Sequence, residues 1–288
     1  MTRIALVQKC PPIARPAILS DVIRCIGEAA TAGASLVAFP ELYFPGFHAI
    51  INRVEGEPLP REFLDAAEPI PGPLTKAVSE AARDRRIHVI FTMLEKGSSG
   101  FHNAAVLIDP DGSIRHVHRK TMLTPRIDDG VLPGNNYEVV DTAIGRIGIL
   151  ICADATCPEP ARIMALRGAD LVVVCSGDFR SGWTVEGHDL VERIWDCCSA
   201  SPARAVDNCI FWAAVNGAGF QDATEFFGGS RIIAPDGNIL AHGSFGGEFE
   251  GLVLADLDLT LRTRVNRTFS LMSRRRPDLY APLVSNPS

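Results

Sequence analysis

Arg146-Ile-Gly-Ile-Leu-Ile-Cys-Ala-Asp154 is an apolar, β-branched run that ends in a cysteine. Its composition predicts a buried strand, and the residues after it decide the fold class. A helical pattern over 158–166, closed by Gly168, leads to a second apolar run from Leu171 to Val174. Strand, helix and strand in that order form the repeating unit of an α/β protein. Cys152 stands where the first strand gives way to a turn.

The alternation extends in both directions. Upstream lie a strand over 3–8 and a helix opening near Pro16, with Ile18, Leu19, Val22, Ile23 and Ile26 on one face and Gly33 at its end. The short run from Ser35 to Phe39 feeds Pro40-Glu-Leu-Tyr-Phe-Pro-Gly46, a loop-forming stretch that leaves Glu41 at a strand's C-terminal end. A helix over 74–86 and strands over 88–94 and 104–108 come next. Asp109-Pro-Asp-Gly112 then turns into a strand over 113–119, so Lys120 also lies where a strand runs out. Downstream, the pattern predicts a long helix over 185–206, a strand over 209–215 and a hairpin over 230–241. The stretches 106–115 and 231–240 share one hairpin pattern about half a chain apart, which fits two similar sheets packed face to face with helices outside.

At 288 residues, with 47% hydrophobic and 22% charged residues and no linker-like tract, the chain reads as one domain over 1–288 with a sizeable core. A net charge of -6 with dispersed basic residues excludes a nucleic-acid footprint. The lack of a signal-peptide core or a bilayer-length apolar run leads to the expectation of a soluble, cytoplasmic protein without membrane partners. Eight irregularly spaced cysteines without a Cys-x-x-Cys pair suggest neither a disulfide frame nor a zinc site. His116-Val-His118 reads as alternate positions on a strand, so no metal is expected.

Glu41, Lys120 and Cys152 therefore share one placement, just beyond a strand, where a rigid sheet can hold loop residues in a common cleft. Cleavage of an amide needs a nucleophile, a base that takes and returns its proton, and positive charge facing the developing oxyanion. A thiol, a carboxylate and an ammonium supply those functions, with the Ala153 N–H as a second oxyanion donor.

The surrounding motifs resemble the nitrilase superfamily of carbon-nitrogen hydrolases: Ile4-Ala-Leu-Val-Gln8, Phe39-Pro-Glu-Leu-Tyr-Phe-Pro-Gly46, His118-Arg-Lys-Thr121, Gly148-Ile-Leu-Ile-Cys-Ala-Asp154 and, later, Ala203-Arg-Ala-Val-Asp-Asn208 and Arg275-Arg-Pro-Asp-Leu-Tyr280. The resemblance covers nearly the whole chain. It implies a four-layer αββα sandwich of two mixed sheets flanked by helices, no cofactor, and a homodimer or higher homo-oligomer. It also implies Glu41, Lys120 and Cys152 as the catalytic set, and a C-terminal extension from about 260 that packs at the oligomer interface.

Two departures bear on chemistry. Many relatives carry a second glutamate after the lysine, whereas this interval offers only Asp128 and Asp129, and distance to Pro133-Gly134 favours Asp129. Behind the cysteine stands Ala153-Asp154, a pair that points to amide or N-carbamoyl substrates rather than nitriles and leaves room beside the thiol. A nitrilase, an acyl transferase and a non-catalytic binding member are the alternatives. Candidate substrate contacts are Tyr43, Phe47, Phe179, Arg180 and Trp183. Arg180 either grips a substrate carboxylate or forms a structural salt bridge.

Overall fold

A computed structural model describes residues 1–285 except 55, 182, 183, 186, 248, 249 and 270. The apolar runs form strands, and period-2 alternation within them decides the layers. The strands of the two main sheets are β1 (Thr2–Gln8), β2 (Leu36–Ala38), β3 (His88–Lys96), β4 (Phe101–Ile108), β5 (Ile114–Arg119), β6 (Val139–Thr142), β7 (Gly145–Ile151), β8 (Leu171–Ser176), β9 (Phe211–Asn216), β10 (Arg231–Ile233), β11 (Ile239–His242) and β12 (Gly251–Leu257). One six-stranded sheet runs β12-β1-β2-β3-β4-β5 and the other β6-β7-β8-β9-β10-β11. Strand directions match between the sheets: an antiparallel edge pair, two parallel pairs, then two antiparallel pairs. The hairpins β4-β5 and β10-β11, which carry the repeated sequence pattern, occupy equivalent positions, and each has a register shift.

On β1, Ile4 and Leu6 point to the second sheet and meet Ile147, Ile149 and Ile151 of β7 and Val173 of β8. Ala5 and Val7 point the other way, toward the helices α1 (Arg15–Thr31) and α2 (Pro73–Arg85). On the far side, Leu150, Val172, Val174 and Trp212 pack under α3 (Pro158–Leu166) and α5 (Pro202–Asn208). Each buried aliphatic side chain contributes roughly 1.5–3 kcal/mol of transfer free energy. The architecture is thus the four-layer αββα sandwich. Among the described residues no helix is long and apolar enough to cross a membrane.

The helix expected over 185–206 is broken. The short strands Thr184–Val185 and His188–Asp189 precede α4 (Leu190–Ile194), which runs into a π turn over Trp195–Ser199 before α5 begins. Pro202 has no N–H to continue a helix, and Ser201 Oγ accepts from Ala203 N at 3.3 Å, so this point starts a new helix. The chain ends in α6 (Thr260–Phe269) and three 3-10 turns over 272–284.

Candidate active site

The carboxyl ends of β2, β5, β7 and β8 meet at one edge of the sandwich, the place where sheet proteins of this kind hold ligands. Beyond β7, Cys152 adopts φ 45°, a left-handed conformation that costs a non-glycine residue on the order of 1–3 kcal/mol. Asp154 holds that turn. Its carboxylate accepts from Ile151 N at 3.0 Å, Thr121 N at 3.0 Å, Met122 N at 2.9 Å and Thr121 Oγ1 at 2.6 Å, and it pairs with His118 Nε2 at 2.8 Å. One side chain therefore ties the exit of β5 to the exit of β7. Burial alone would lift the Asp154 pKa, but His118 and these donors outweigh it and hold it below the usual carboxylate range.

Glu41 bridges the sheets. Its N–H donates to Ser176 O at 3.1 Å, and its Oε2 accepts from Gly177 N at 3.2 Å. Gly177 must lack a side chain here, because a Cβ would stand 2.3 Å from the Phe47 ring. Glu41 Oε1 accepts from Lys120 Nζ at 2.7 Å and Asn103 Nδ2 at 2.8 Å. Lys120 Nζ donates further to Asp128 Oδ2 at 2.6 Å and to Thr124 Oγ1 at 3.1 Å. All three charged side chains are buried. Burial, opposed by Lys120 and reinforced by Asp128, raises the Glu41 pKa. For Lys120, burial favours the neutral amine, but Asp128 and Glu41 prevail and keep it an ammonium. Burial, then the charges of Asp178 and Glu41, push the Cys152 thiol well up against the pull of Lys120.

Asp178 lies just past β8, on the other side of Cys152. Cys152 Sγ is 3.6 Å from its Oδ1. Asn216 fixes the backbone there, with Asp178 N donating to Asn216 Oδ1 at 2.8 Å and Asn216 Nδ2 donating to Asp178 O at 3.1 Å. Burial and the Glu41 charge lift the Asp178 carboxyl to about 7. Glu41, Lys120, Cys152 and Asp178 line one cavity of about 60 Å³, closed by Phe47, Ile127, Phe179 and Val191. Among the described residues no cluster of three or more His, Cys, Asp or Glu side chains is arranged to hold a metal ion.

The structure brings the three expected reactive residues, Phe47 and Phe179 together in this cavity and corrects several other expectations. Asp128, not Asp129, reaches Lys120, because the turn closed by Asp128 N and Thr124 O at 2.9 Å, with Arg126 left-handed, directs Asp128 inward. Asp129 Oδ2 instead accepts from Gly56 N at 3.0 Å. Tyr43 is no substrate contact: left-handed Leu42 turns it into the α1-side core, where its hydroxyl donates to Asp21 Oδ2 at 2.6 Å. Arg180 is exposed and paired with Glu225 at 2.7 Å and with Glu192, off the cavity wall. The side chain of Ala153 is likewise not on that wall. Trp183 lies outside the described residues.

Sequence reasoning missed Asp178 and Asn103. Asn103 is a polar residue in the otherwise apolar run from Asn103 to Ile108, which was a usable signal. Asp178 follows a strand that pairs in parallel with β7, Ile151 opposite Cys175, so the two strand exits are level.

Comparison with known proteins identifies the family. Residues 3–267 match the carbon-nitrogen hydrolase family. An omega-amidase of Bos taurus is 30% identical, the match covering 96% of each chain. A nitrilase of Pyrococcus abyssi is 29% identical over 97% of this chain and 99% of its own. An amidase from Nesterenkonia sp. AN1, solved with the acetamide moiety of fluoroacetamide added covalently at its active site cysteine, has a TM-score of 0.74 at 26% identity and covers 98% of this chain and 97% of its own. With its family match, its full-length relatives and its fold in agreement, the chain belongs to the carbon-nitrogen hydrolases, enzymes that act on carbon-nitrogen bonds other than peptide bonds.

Proposed function

We propose that this enzyme hydrolyses a small amide or N-carbamoyl compound, releasing ammonia through a thioester on Cys152. The observation that carries the reading is the convergence of a thiol, a carboxylate and an ammonium in one buried cavity at the ends of β7, β2 and β5. Cys152 Sγ attacks the carbonyl carbon while Glu41 takes the thiol proton. The tetrahedral oxyanion faces Lys120 Nζ and the Ala153 N–H. The carbon-nitrogen bond then breaks, Glu41 returns the proton to the departing nitrogen, and ammonia leaves. Water, deprotonated by Glu41, adds to the thioester carbonyl. Collapse expels the sulfur, which regains its proton and frees the acid.

The raised proton affinity of Glu41 suits a group that must accept and return a proton. The ammonium state of Lys120 suits an oxyanion partner, and losing one such donor costs roughly 10²–10³ in rate. Asp154 behind the thiol turn and the likeness to an amidase of known structure favour amides over nitriles, while the sequence relatives include both an omega-amidase and a nitrilase.

Incubation with short aliphatic amides, N-carbamoyl amino acids and nitriles, with ammonia and products followed, tests the reading. Ammonia is expected from the amide or carbamoyl group. Conversion of nitriles alone would replace the reading by a nitrilase. Cys152→Ala is expected to abolish turnover and covalent labelling by mass spectrometry while retaining the native circular dichroism spectrum. Persisting turnover in that variant would overturn the nucleophile assignment.

A further inference from the structure

The cavity holds one more carboxyl group than the proposed reaction uses. Glu41 and Asp128 share Lys120 at 2.7 and 2.6 Å, so that buried group already carries a net negative charge when both acids are ionised. Asp178 stands apart from it, facing the nucleophile at 3.6 Å. Among the described residues no Lys, Arg or His forms a salt bridge with Asp178. Arg126 is on the cavity wall, but its Nη2 is 3.4 Å from Ile51 O.

Asp178 is half-buried and has Ser176 and the thiol as side-chain partners, yet burial still lifts its pKa, so a carboxylate there gains from a cation. A substrate carbonyl bonded to Sγ carries its next carbon two bonds from the sulfur, and a substituent on that carbon three bonds away. A nitrogen there comes within hydrogen-bonding reach of a carboxylate that itself touches the sulfur. We infer that Asp178 is a specificity determinant that selects acyl groups bearing an ammonium on the carbon next to the scissile carbonyl, so that the preferred substrates are small α-amino amides.

This inference rests on the amide-hydrolase reading and narrows it. The leaving nitrogen is common to every primary amide, so a contact to it would not discriminate among them. An α-ammonium would. It would also keep Asp178 ionised where burial and Glu41 otherwise let it hold a proton up to about pH 7.

Alaninamide and isobutyramide differ by an ammonium in place of a methyl group and otherwise share shape, so the ratio of their kcat/KM values isolates the charge. For the wild-type enzyme the ratio, taken with the better alaninamide enantiomer, is expected to exceed one. It should peak between about pH 7, above which Asp178 is ionised, and about pH 8, above which an α-amine loses its proton. Cys152, Glu41 and Lys120 face Asp178, with Asp128 behind Lys120 and Arg126 on the wall. Their charges also act on an α-ammonium, and its inductive pull acts on the carbonyl, so the change of the ratio in Asp178 variants is what isolates Asp178.

Asp178→Asn is expected to lower the ratio by about 10- to 100-fold, the value of a charge-assisted hydrogen bond, and Asp178→Glu to retain part of it. A wild-type ratio at or below one, or a ratio unchanged in Asp178→Asn, would overturn the inference while leaving the amide hydrolase standing. Turnover of neither amide, with Cys152 still alkylated by iodoacetamide, would sink the amide reading itself and this inference with it. If the asparagine variant fails to fold, Asp178→Glu and the pH profile of the ratio decide: a ratio unchanged in Asp178→Glu and flat across pH 6–8 would overturn the inference.

Discussion

Two aspartates within a few ångströms of the nucleophile turn have opposite effects on the folded state. Asp154 has its pKa held down in the native protein, so its contribution is present above the unfolded value of about 3.9 and is lost as pH falls through the lower native one. Asp154→Asn, which leaves His118 without its carboxylate partner, is expected to cost on the order of 3 kcal/mol at neutral pH, with the difference from wild type shrinking below about pH 4. Asp178 is raised to about 7, so native stability is lost as pH rises from the unfolded value through the native one. Asp178→Asn is expected to raise the melting temperature above pH 7 and to have least effect near pH 4. Thermal melts of both variants across pH 3–9 check both signs. The two residues look alike in the sequence, each a lone Asp after an apolar run, and their difference lies in their partners: five donors, His118 among them, for Asp154, and a thiol and the Ser176 hydroxyl for Asp178.

At the scale of elements, capping is what brings α4 to the cavity. Asp189 accepts from Val191 N at 3.0 Å and Glu192 N at 3.2 Å, and Val191 is part of the cavity wall. Asp189→Ala is expected to cost about 1 kcal/mol and to raise KM more than it lowers kcat, as read by melting and steady-state kinetics. The breaks around α4 are hard to see in the sequence, where the apolar spacing suits a continuous helix and only Gly187 and Pro202 signal the interruptions. Elsewhere strands and helices are legible, because two-sided burial makes β1, β7 and β8 nearly unbroken apolar runs, and Gly33 and Gly168 stop the helices α1 and α3. Glu41 and Cys152 are conspicuous for the same reason, each following such a run, whereas Lys120 follows the mostly polar β5 and is marked only by standing at its end. The choice of Asp128 over Asp129 is not legible. That choice depends on the left-handed Arg126 and the turn from Thr124, which no spacing encodes.

For the whole molecule, the C-terminal segment is the part with least core of its own. Arg262 anchors α6 through Asp170 at 2.9 Å, but Leu279, Leu283 and Val284 remain exposed. The proposed extension at an oligomer interface accounts for that exposure. The wild-type chain is expected to sediment as a dimer or larger, and Leu279→Asp with Leu283→Asp as a smaller species with unchanged circular dichroism. A wild-type monomer at micromolar concentration would remove that role. The pairing of β1 with β12 sets Thr2 opposite Leu257, joining the two ends of the sandwich's chain in one ladder. During synthesis, β1 leaves the ribosome long before β12, which must arrive before the outer edge of β1 is covered. Until then it presents open backbone groups to neighbouring nascent chains, the condition under which strand edges aggregate. Contacts of such long sequence range also slow folding, so this enzyme's yield in a cell should depend on how well that one edge is shielded until β12 arrives.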